Sequence, residues 1–271
     1  MFEYEFNVEE CVMMHIFKKK RVYSILVFIV TIFLSEMLMS SSLDFLEQAG
    51  LYKSGNPLRL HLGCGANHLN GYVNIDFPPS EHTVADVQSS VDYYADITKL
   101  QFPNESVREI RSHHVFEHFT RACALALLCA WQQWLEVGGT LVIETPDVEK
   151  SMQEYLDPQC CQKDKMIILR HIFGSQEASW ALHLDGWDAK KFVYVLEQFG
   201  FNKIVVKYRD SKIIPSVIVI AHKQNNMSLL ELKQRAQDIL HISTVDSCYA
   251  EEKMWNVWCQ DFERALKQLM G

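Results

Sequence analysis

The sequence predicts an α/β domain built on a mostly parallel sheet flanked by helices, with an antiparallel β-hairpin at its C-terminal edge. Three observations carry this. Strand-like and helix-like apolar patterns alternate from Leu58 onward. Two late strand patterns lie close enough to pair as a hairpin. The residues with chemical character fall at the ends of the strands rather than along them, as in open parallel sheets.

The elements follow in order. Leu58–Leu62 is a short apolar strand that runs into Gly63-Cys64-Gly65. Tyr72–Ile75 is a second strand and ends at Asp76. A parallel crossover usually takes about a dozen residues or more, so the link between them is predicted to be unusually short and loop-like. Val91–Ala95 is a weaker third strand, Val107–Ser112 a fourth and Thr140–Thr145 a fifth. Between the last two, Thr120–Leu135 is apolar at helical spacing (Ala122, Leu125, Leu128, Cys129, Leu135). Thr120 is its expected N-cap, and Gly138-Gly139 are expected to stop it. A second helix spans Asp188–Phe199, capped by Asp188 and ended by Gly200. Ile204–Tyr208 and Val217–Ala221 then form the hairpin around Arg209–Pro215. Two polar helices close the chain, roughly Ser228–Leu240 and Ala250–Met270. They form a tail against the core or a partner surface.

Length and composition bound the function. At 271 residues, 48% of them hydrophobic, the chain fits one large domain with appendages. The organisation read from it is an N-terminal extension (1–40), a main domain (41–223) and the helical tail (224–271). A net charge of -8 argues against a protein whose task is to hold nucleic-acid backbone. The 8 cysteines include no CxxC pair, so they read as reduced thiols that pack as small apolar residues. In the extension, Lys18-Lys19-Lys20-Arg21 precede an apolar run, 22–39, interrupted by Glu36. The run falls short of the about 20 residues a membrane span needs. Three readings stay open for it: a membrane anchor, a signal sequence, and an extension dispensable to the working protein.

The strand ends suit a nucleoside. Glycines at 63 and 65 permit a tight turn and close approach of a ligand. Asp76 is placed for ribose hydroxyls. Asp96-Ile97, after the third strand, offers a carboxylate for an exocyclic amine and an apolar cover for a base. The dinucleotide fingerprint is not met: His68 stands where the third glycine belongs, and the acid comes 11 residues after Gly65 rather than about 20. Without a helix in the short link, a pyrophosphate loses its helix N-terminus. S-adenosylmethionine, which has no phosphate, loses nothing.

Five ordered pieces then carry a resemblance: LHLGCG (60–65), GYVNIDF (71–77), ADITKLQFPNESVREIRSHHVFEHF (95–119), GGTLVIETPD (138–147) and HIFGSQ…HLDGWDAKKFVYVLEQFGF (171–201). The chain resembles class I S-adenosylmethionine-dependent methyltransferases, most of all the small bacterial-type group often associated with glycan assembly. The resemblance implies a Rossmann-like, seven-stranded sheet. It implies S-adenosylmethionine as cofactor, with Gly63, Cys64 and Gly65 near its methionyl part, Asp76 on the ribose, and Asp96 and Ile97 on the adenine. It puts the His113-His114 step beside the transferred methyl. Trp131–Gly139 departs from the family's usual Leu-Lys-Pro-Gly-Gly pattern, with little bearing on the site.

For an oxygen acceptor a base is needed. HHVFEHF supplies His114, Glu117 and His118, and His183 with Asp185 in HLDGW forms a second cluster. Capping and packing compete with catalysis for each of them, and His61 reads as a packing residue. No metal is expected, since HExxH is absent. The function read from this is methyl transfer to a small-molecule or glycan-type acceptor. A non-catalytic interaction module on the same fold is the alternative, and a dinucleotide or nucleotide-sugar enzyme a third. Acids at two strand ends argue against a degenerate site, because nothing in folding is expected to require both. The cofactor is cytosolic, which sets a cytoplasmic domain with membrane association through 22–39 as its one complication. Acceptor selection is assigned to loops around 150–187, and nothing in the sequence sets the oligomeric state.

Overall fold

Leu60, His61 and Leu62 are all fully buried, on both faces of their strand. A strand with no solvent face belongs in the middle of a sheet covered on both sides. The computed structural model describes residues 41–78, 90–209 and 211–271. The apolar segment 22–39 lies outside the described residues. Among those described, no helix is long and apolar enough to cross a membrane.

The elements run α1 (Ser42–Gln48), β1 (Arg59–Leu62), β2 (Val73–Asp76), β3 (Tyr93–Tyr94), β4 (Val107–His113), α2 (Arg121–Trp134), β5 (Leu135–Pro146), α3 (Val148–Leu156), α4 (Gln162–Phe173), α5 (Ala189–Gln198), β6 (Phe201–Arg209), β7 (Ser216–Lys223), α6 (Leu229–Ile242) and α7 (Tyr249–Met270). They form an open seven-stranded sheet in the order β3-β2-β1-β4-β5-β7-β6. β1 to β5 are parallel: Leu60 sits opposite Val73 of β2 on one side and Ile110 of β4 on the other. β7 pairs antiparallel with both β5 and β6, so the predicted hairpin is present, with β6 on the edge. The sheet grows one way from β1 to β3 and the other way from β4 onward. The switch point, where such sheets bind ligands, therefore lies past the carboxyl ends of β1 and β4.

α2 is apolar on every face, with Ala122, Leu125, Leu128, Trp131 and Trp134 all buried. A helix of that kind must be covered on both sides. The sheet covers one, and α7 covers the other, contributing Phe262, Leu266 and Leu269 to the same core as Leu60 and Ile143. The C-terminal helices, expected as a tail, thus lie against the core. Gln132 and Gln133 tie the end of α2 to the carbonyls of Asn225 and Met227, each at 2.9 Å.

Two local expectations are corrected. Gly138 and Gly139 do not stop α2, which ends at Trp134 and passes straight into β5. The glycines lie inside β5, where a register shift between Val107 and Glu109 of β4 leaves residues 136–139 bulged. Residues 150–187 are not mainly loop: they contain most of α3 and all of α4. α3 buries only Ser151 and α4 only Ile168, so both lie at the surface, although α3 spaces Val148, Met152, Tyr155 and Leu156 at helical intervals. α1 was also not expected. It is set by a capping box between Ser41 and Asp44 and docks through Leu46.

Candidate active site

The β1–β2 link contains no helix, as its length predicts. What organises it is Asn74, fully buried in β2. Its Oδ1 accepts the Leu69 N–H (2.9 Å), and its Nδ2 donates to the carbonyls of Leu69 (3.1 Å) and Tyr72 (3.2 Å). It also meets Asp92 Oδ2 (2.8 Å) and His61 Nδ1 (3.0 Å). One side-chain amide thus replaces a crossover helix. His61 is the packing residue the sequence suggested.

At the switch point Gly63 and Gly65 both take left-handed backbone, at φ +69 and +52. Their surroundings differ. A Cβ on Gly63 would stand 1.9 Å from Val115 Cγ2, so β4's following loop fills that side of the turn. Among the described residues, a Cβ on Gly65 would meet nothing within 4 Å, so this glycine faces open space there. Asp76 holds the turn: Oδ2 accepts the Gly65 N–H and Oδ1 the Phe77 N–H. Cys64 is buried, and burial, then the Asp76 charge, push its thiol up to about 12, which leaves it no nucleophile.

Asp96 sits at the N-cap of a 3-10 turn, Ile97–Lys99. Oδ1 accepts from Thr98 N (3.0 Å) and Thr98 Oγ1 (2.7 Å), and Oδ2 pairs with Lys99 Nζ at 3.1 Å. Ile97 is buried in the core. Both acids at the strand ends therefore have structural work, contrary to the expectation that nothing in folding requires both. A carboxylate oxygen keeps a second lone pair, so Asp76 retains acceptor capacity beyond these bonds.

His113 ends β4 and packs edge-on against His61, with ring centroids 5.2 Å apart. Burial, joined by the charge of His61, pulls its pKa below the ordinary value. His114 follows with φ +52. Its Nδ1 lies 3.3 Å from Glu117 Oε1, its Nε2 3.3 Å from Glu144 Oε1 and 3.4 Å from Ser216 Oγ. Burial alone would lower this imidazole, but the carboxylates of Glu117 and Glu144 on either side of the ring outweigh it and raise its pKa to about 9. At neutral pH His114 is then a cation and cannot accept a proton.

Glu144 and Arg209 were not singled out from the sequence. Glu144 is buried near the end of β5, and the Arg209 guanidinium grips it from β6, Nε to Oε1 at 3.0 Å and one terminal nitrogen to Oε2 at 3.1 Å. Its signal was visible: an acid within the apolar run LVIETP. Burial would raise its pKa, but His114 and Arg209 lower it overall.

Glu117, His118 and His183 come together in space. Glu117 is buried in the 3-10 turn Phe116–His118. The segment carrying His183 is stapled to it: the Glu117 carbonyl accepts from Leu184 N (2.8 Å) and Asp185 N (3.4 Å), and His118 Nδ1 donates to the Leu182 carbonyl (3.0 Å). The rings of His118 and His183 meet edge-on at 4.8 Å. His183 Nε2 stands 4.0 Å from Glu117 Oε1. Burial keeps the His183 pKa below its ordinary value, so at neutral pH this ring is uncharged. Gly174, after α4, fixes the approach of the loop. At φ +86 it lies so close to the Ala181 carbonyl that a Cβ would come within 2.1 Å of that oxygen. Asp185 is turned away, onto Lys191 Nζ at 2.7 Å.

No family model matches the chain, and no curated protein matches it. Solved structures do. One is a SAM-dependent methyltransferase from Archaeoglobus fulgidus, at 15% identity and a TM-score of 0.41, covering 66% of this chain and 91% of that one. Another is a SAM-dependent methyltransferase from Methanosarcina mazei, at 14% and 0.40, covering 65% and 97%. A third is human N-acetylserotonin methyltransferase in complex with SAM, at 15% and 0.40, covering 62% and 48%. Similarity at this level says nothing of the site, and the fold rests on the strand order given above.

Proposed function

We propose that the protein transfers the methyl group of S-adenosylmethionine to a small-molecule or glycan-type acceptor, at oxygen. One observation carries the cofactor: a glycine turn at the switch point, open at Gly65 and pinned by Asp76, with no helix behind it. A dinucleotide would miss the helix N-terminus that binds its pyrophosphate. A nucleoside sulfonium needs only the open turn, the acid and an apolar base site. The turn Gly63-Cys64-Gly65 holds the methionyl end through its open face at Gly65, with Gly63 packed against Val115; Asp76 takes the ribose, Asp96 and Ile97 the adenine, and His113 borders the methyl group.

In the reaction the acceptor oxygen attacks the methyl carbon in line. The C–O bond forms, the C–S bond breaks, and the hydroxyl proton leaves to a base. Positioning supplies much of the rate, up to about 7–11 kcal/mol in ideal intramolecular cases. On the acceptor side, Glu117, His118 and His183 receive the hydroxyl. His114, as a cation held between two carboxylates, orients Glu117 rather than taking the proton. S-adenosylmethionine is cytosolic, so the domain works in the cytoplasm, and segment 22–39 would at most attach it to a membrane.

A non-catalytic module on the same fold is the second reading. The occupied Asp96 favours it, since an adenine amine must compete with Thr98 and Lys99 for that carboxylate. Calorimetric titration of S-adenosylmethionine and its demethylated product into the full chain, beside Asp76→Ala and Asp96→Ala, separates the two. Micromolar binding, weakened in both variants by about 1–3 kcal/mol, the scale of a lost buried polar partner, is expected. A folded protein that binds neither compound refutes the enzyme reading.

A further inference from the structure

Glu117 poses a problem that the methyl-transfer reading leaves open. Its carboxylate is buried, yet among the described residues neither oxygen has a hydrogen-bond partner. Oε1 lies 3.3 Å from His114 Nδ1, an ion-pair contact rather than a hydrogen bond. A buried charge is normally paired and bonded, or it coordinates a metal. Two further imidazoles, those of His118 and His183, have donor atoms within 4.8 Å of the carboxylate.

We propose that Glu117, His118 and His183 bind a divalent transition-metal ion of the zinc class. One donor atom from each residue lies within 4.8 Å of the others. Ligands about 2.1 Å from a shared ion lie about 3–4 Å apart, so closing the set takes a side-chain adjustment of about 1 Å and no backbone movement. The backbone is already set by the hydrogen bonds from Leu184 and Asp185 to the Glu117 carbonyl. His118 is oriented as metal ligands usually are: Nδ1–H donates to the Leu182 carbonyl, which fixes the tautomer and leaves the Nε2 lone pair for the ion. Two imidazoles and one carboxylate suit a borderline cation better than magnesium or calcium, which favour oxygen ligands. Three protein ligands also leave a coordination position open, as catalytic sites do.

The role assigned to the ion, though not the site itself, rests on the methyl-transfer reading. An acceptor hydroxyl in the open position would be acidified by the ion, would release its proton to solvent and would be held as the alkoxide for in-line attack, in place of proton transfer to a side-chain base.

Cobalt(II) added to the full, chelator-stripped chain tests this, with visible absorption and equilibrium dialysis as readouts. Stoichiometric binding with ligand-field bands and no sulfur-to-cobalt charge transfer is expected. Glu117→Gln and His183→Gln should weaken it by about tenfold or more. If Glu117→Gln does not fold, the half-buried His118→Gln takes its place. Absence of stoichiometric binding, a thiolate band marking a cysteine site, or full binding in folded variants each overturns the proposal. S-adenosylmethionine titrated into the same samples reads the cofactor separately. Cofactor binding without cobalt overturns the ion alone, and cobalt binding without cofactor supports the ion while refuting the methyl-transfer reading.

Discussion

Substituting alanine for each glycine of the turn should produce opposite effects on stability and binding. At Gly63 the new Cβ would lie 1.9 Å from Val115 Cγ2 and 3.0 Å from Val115 Cβ. Carbon atoms settle at about 3.5–4.0 Å, so the turn or the β4 loop must yield by about 1.5 Å. Overpacking of that kind costs about 1–3 kcal/mol. The left-handed backbone at φ +69 adds about 1–2 kcal/mol for a side-chain-bearing residue. Gly63→Ala should therefore lose about 2–5 kcal/mol of stability. Gly65→Ala has the conformational cost alone, about 1–2 kcal/mol, because its Cβ meets nothing. That methyl instead occupies the space assigned to the cofactor and should weaken S-adenosylmethionine by about tenfold or more. Urea unfolding gives the first quantity and calorimetry the second. The double variant Gly63→Ala/Val115→Ala should show a coupling of about 1–3 kcal/mol, because shaving the valine relieves the contact. If Gly63→Ala is no more destabilising than Gly65→Ala, or Val115→Ala brings no relief, the assignment of one glycine to packing and the other to ligand is wrong.

Three further outcomes are expected. Gly174→Ala would drive a methyl into the Ala181 carbonyl at φ +86, so it should cost about 2–4 kcal/mol in urea unfolding; a loss under about 0.5 kcal/mol, the scale of a neutral surface change, would show that the His183 loop is not held there. In metal-free protein, His114 should titrate near 9 by ring NMR. Because its folded pKa lies above the ordinary 6.5, its contribution to stability is complete below about pH 6.5 and is lost as pH rises through about 9. With 44% of the side chain exposed, solvent screening holds that contribution to about 1 kcal/mol. A comparison with His114→Asn at both ends of the window measures it, and a His114 that titrates at or below 6.5 contradicts the pairing with Glu117 and Glu144. Residues 41–271 form a compact unit of their own, so deleting 1–40 should leave cofactor affinity unchanged, and a tenfold loss, about 1.4 kcal/mol, would show otherwise.

The central strands and the terminal hairpin were legible because β1, β2, β4, β5 and β7 carry buried apolar side chains, and because turn glycines and helix caps such as Thr120 and Asp188 punctuate the chain. α3 carries a helical apolar period (Val148, Met152, Tyr155, Leu156) that the loop reading passed over, whereas α4 is less clearly patterned. The turn at Gly63–Gly65 and its acid were readable for a local reason: they stand at successive strand ends, close in sequence. The other end was only half readable. Glu117 and His118 announce themselves together, and His183 was suspected, but their meeting depends on a backbone staple from Leu184 to the Glu117 carbonyl. Glu144 and Arg209 meet across β7, a pairing set by sheet order alone.

The structural work done by the strand-end acids changes how their substitution should be read. Asp76 holds the Gly65 and Phe77 amides, so removing it leaves two buried or half-buried N–H groups without their acceptor as well as removing a ribose contact. Weak cofactor binding in Asp76→Ala would follow from either loss. Gly65→Ala separates them, because it leaves Asp76 and its amide bonds in place and adds only a methyl on the open side. If binding falls in both variants, the open face of the turn is the cofactor's seat. If it falls only in Asp76→Ala, the acid acts by holding the turn, and the ligand lies elsewhere along the carboxyl edge of the sheet.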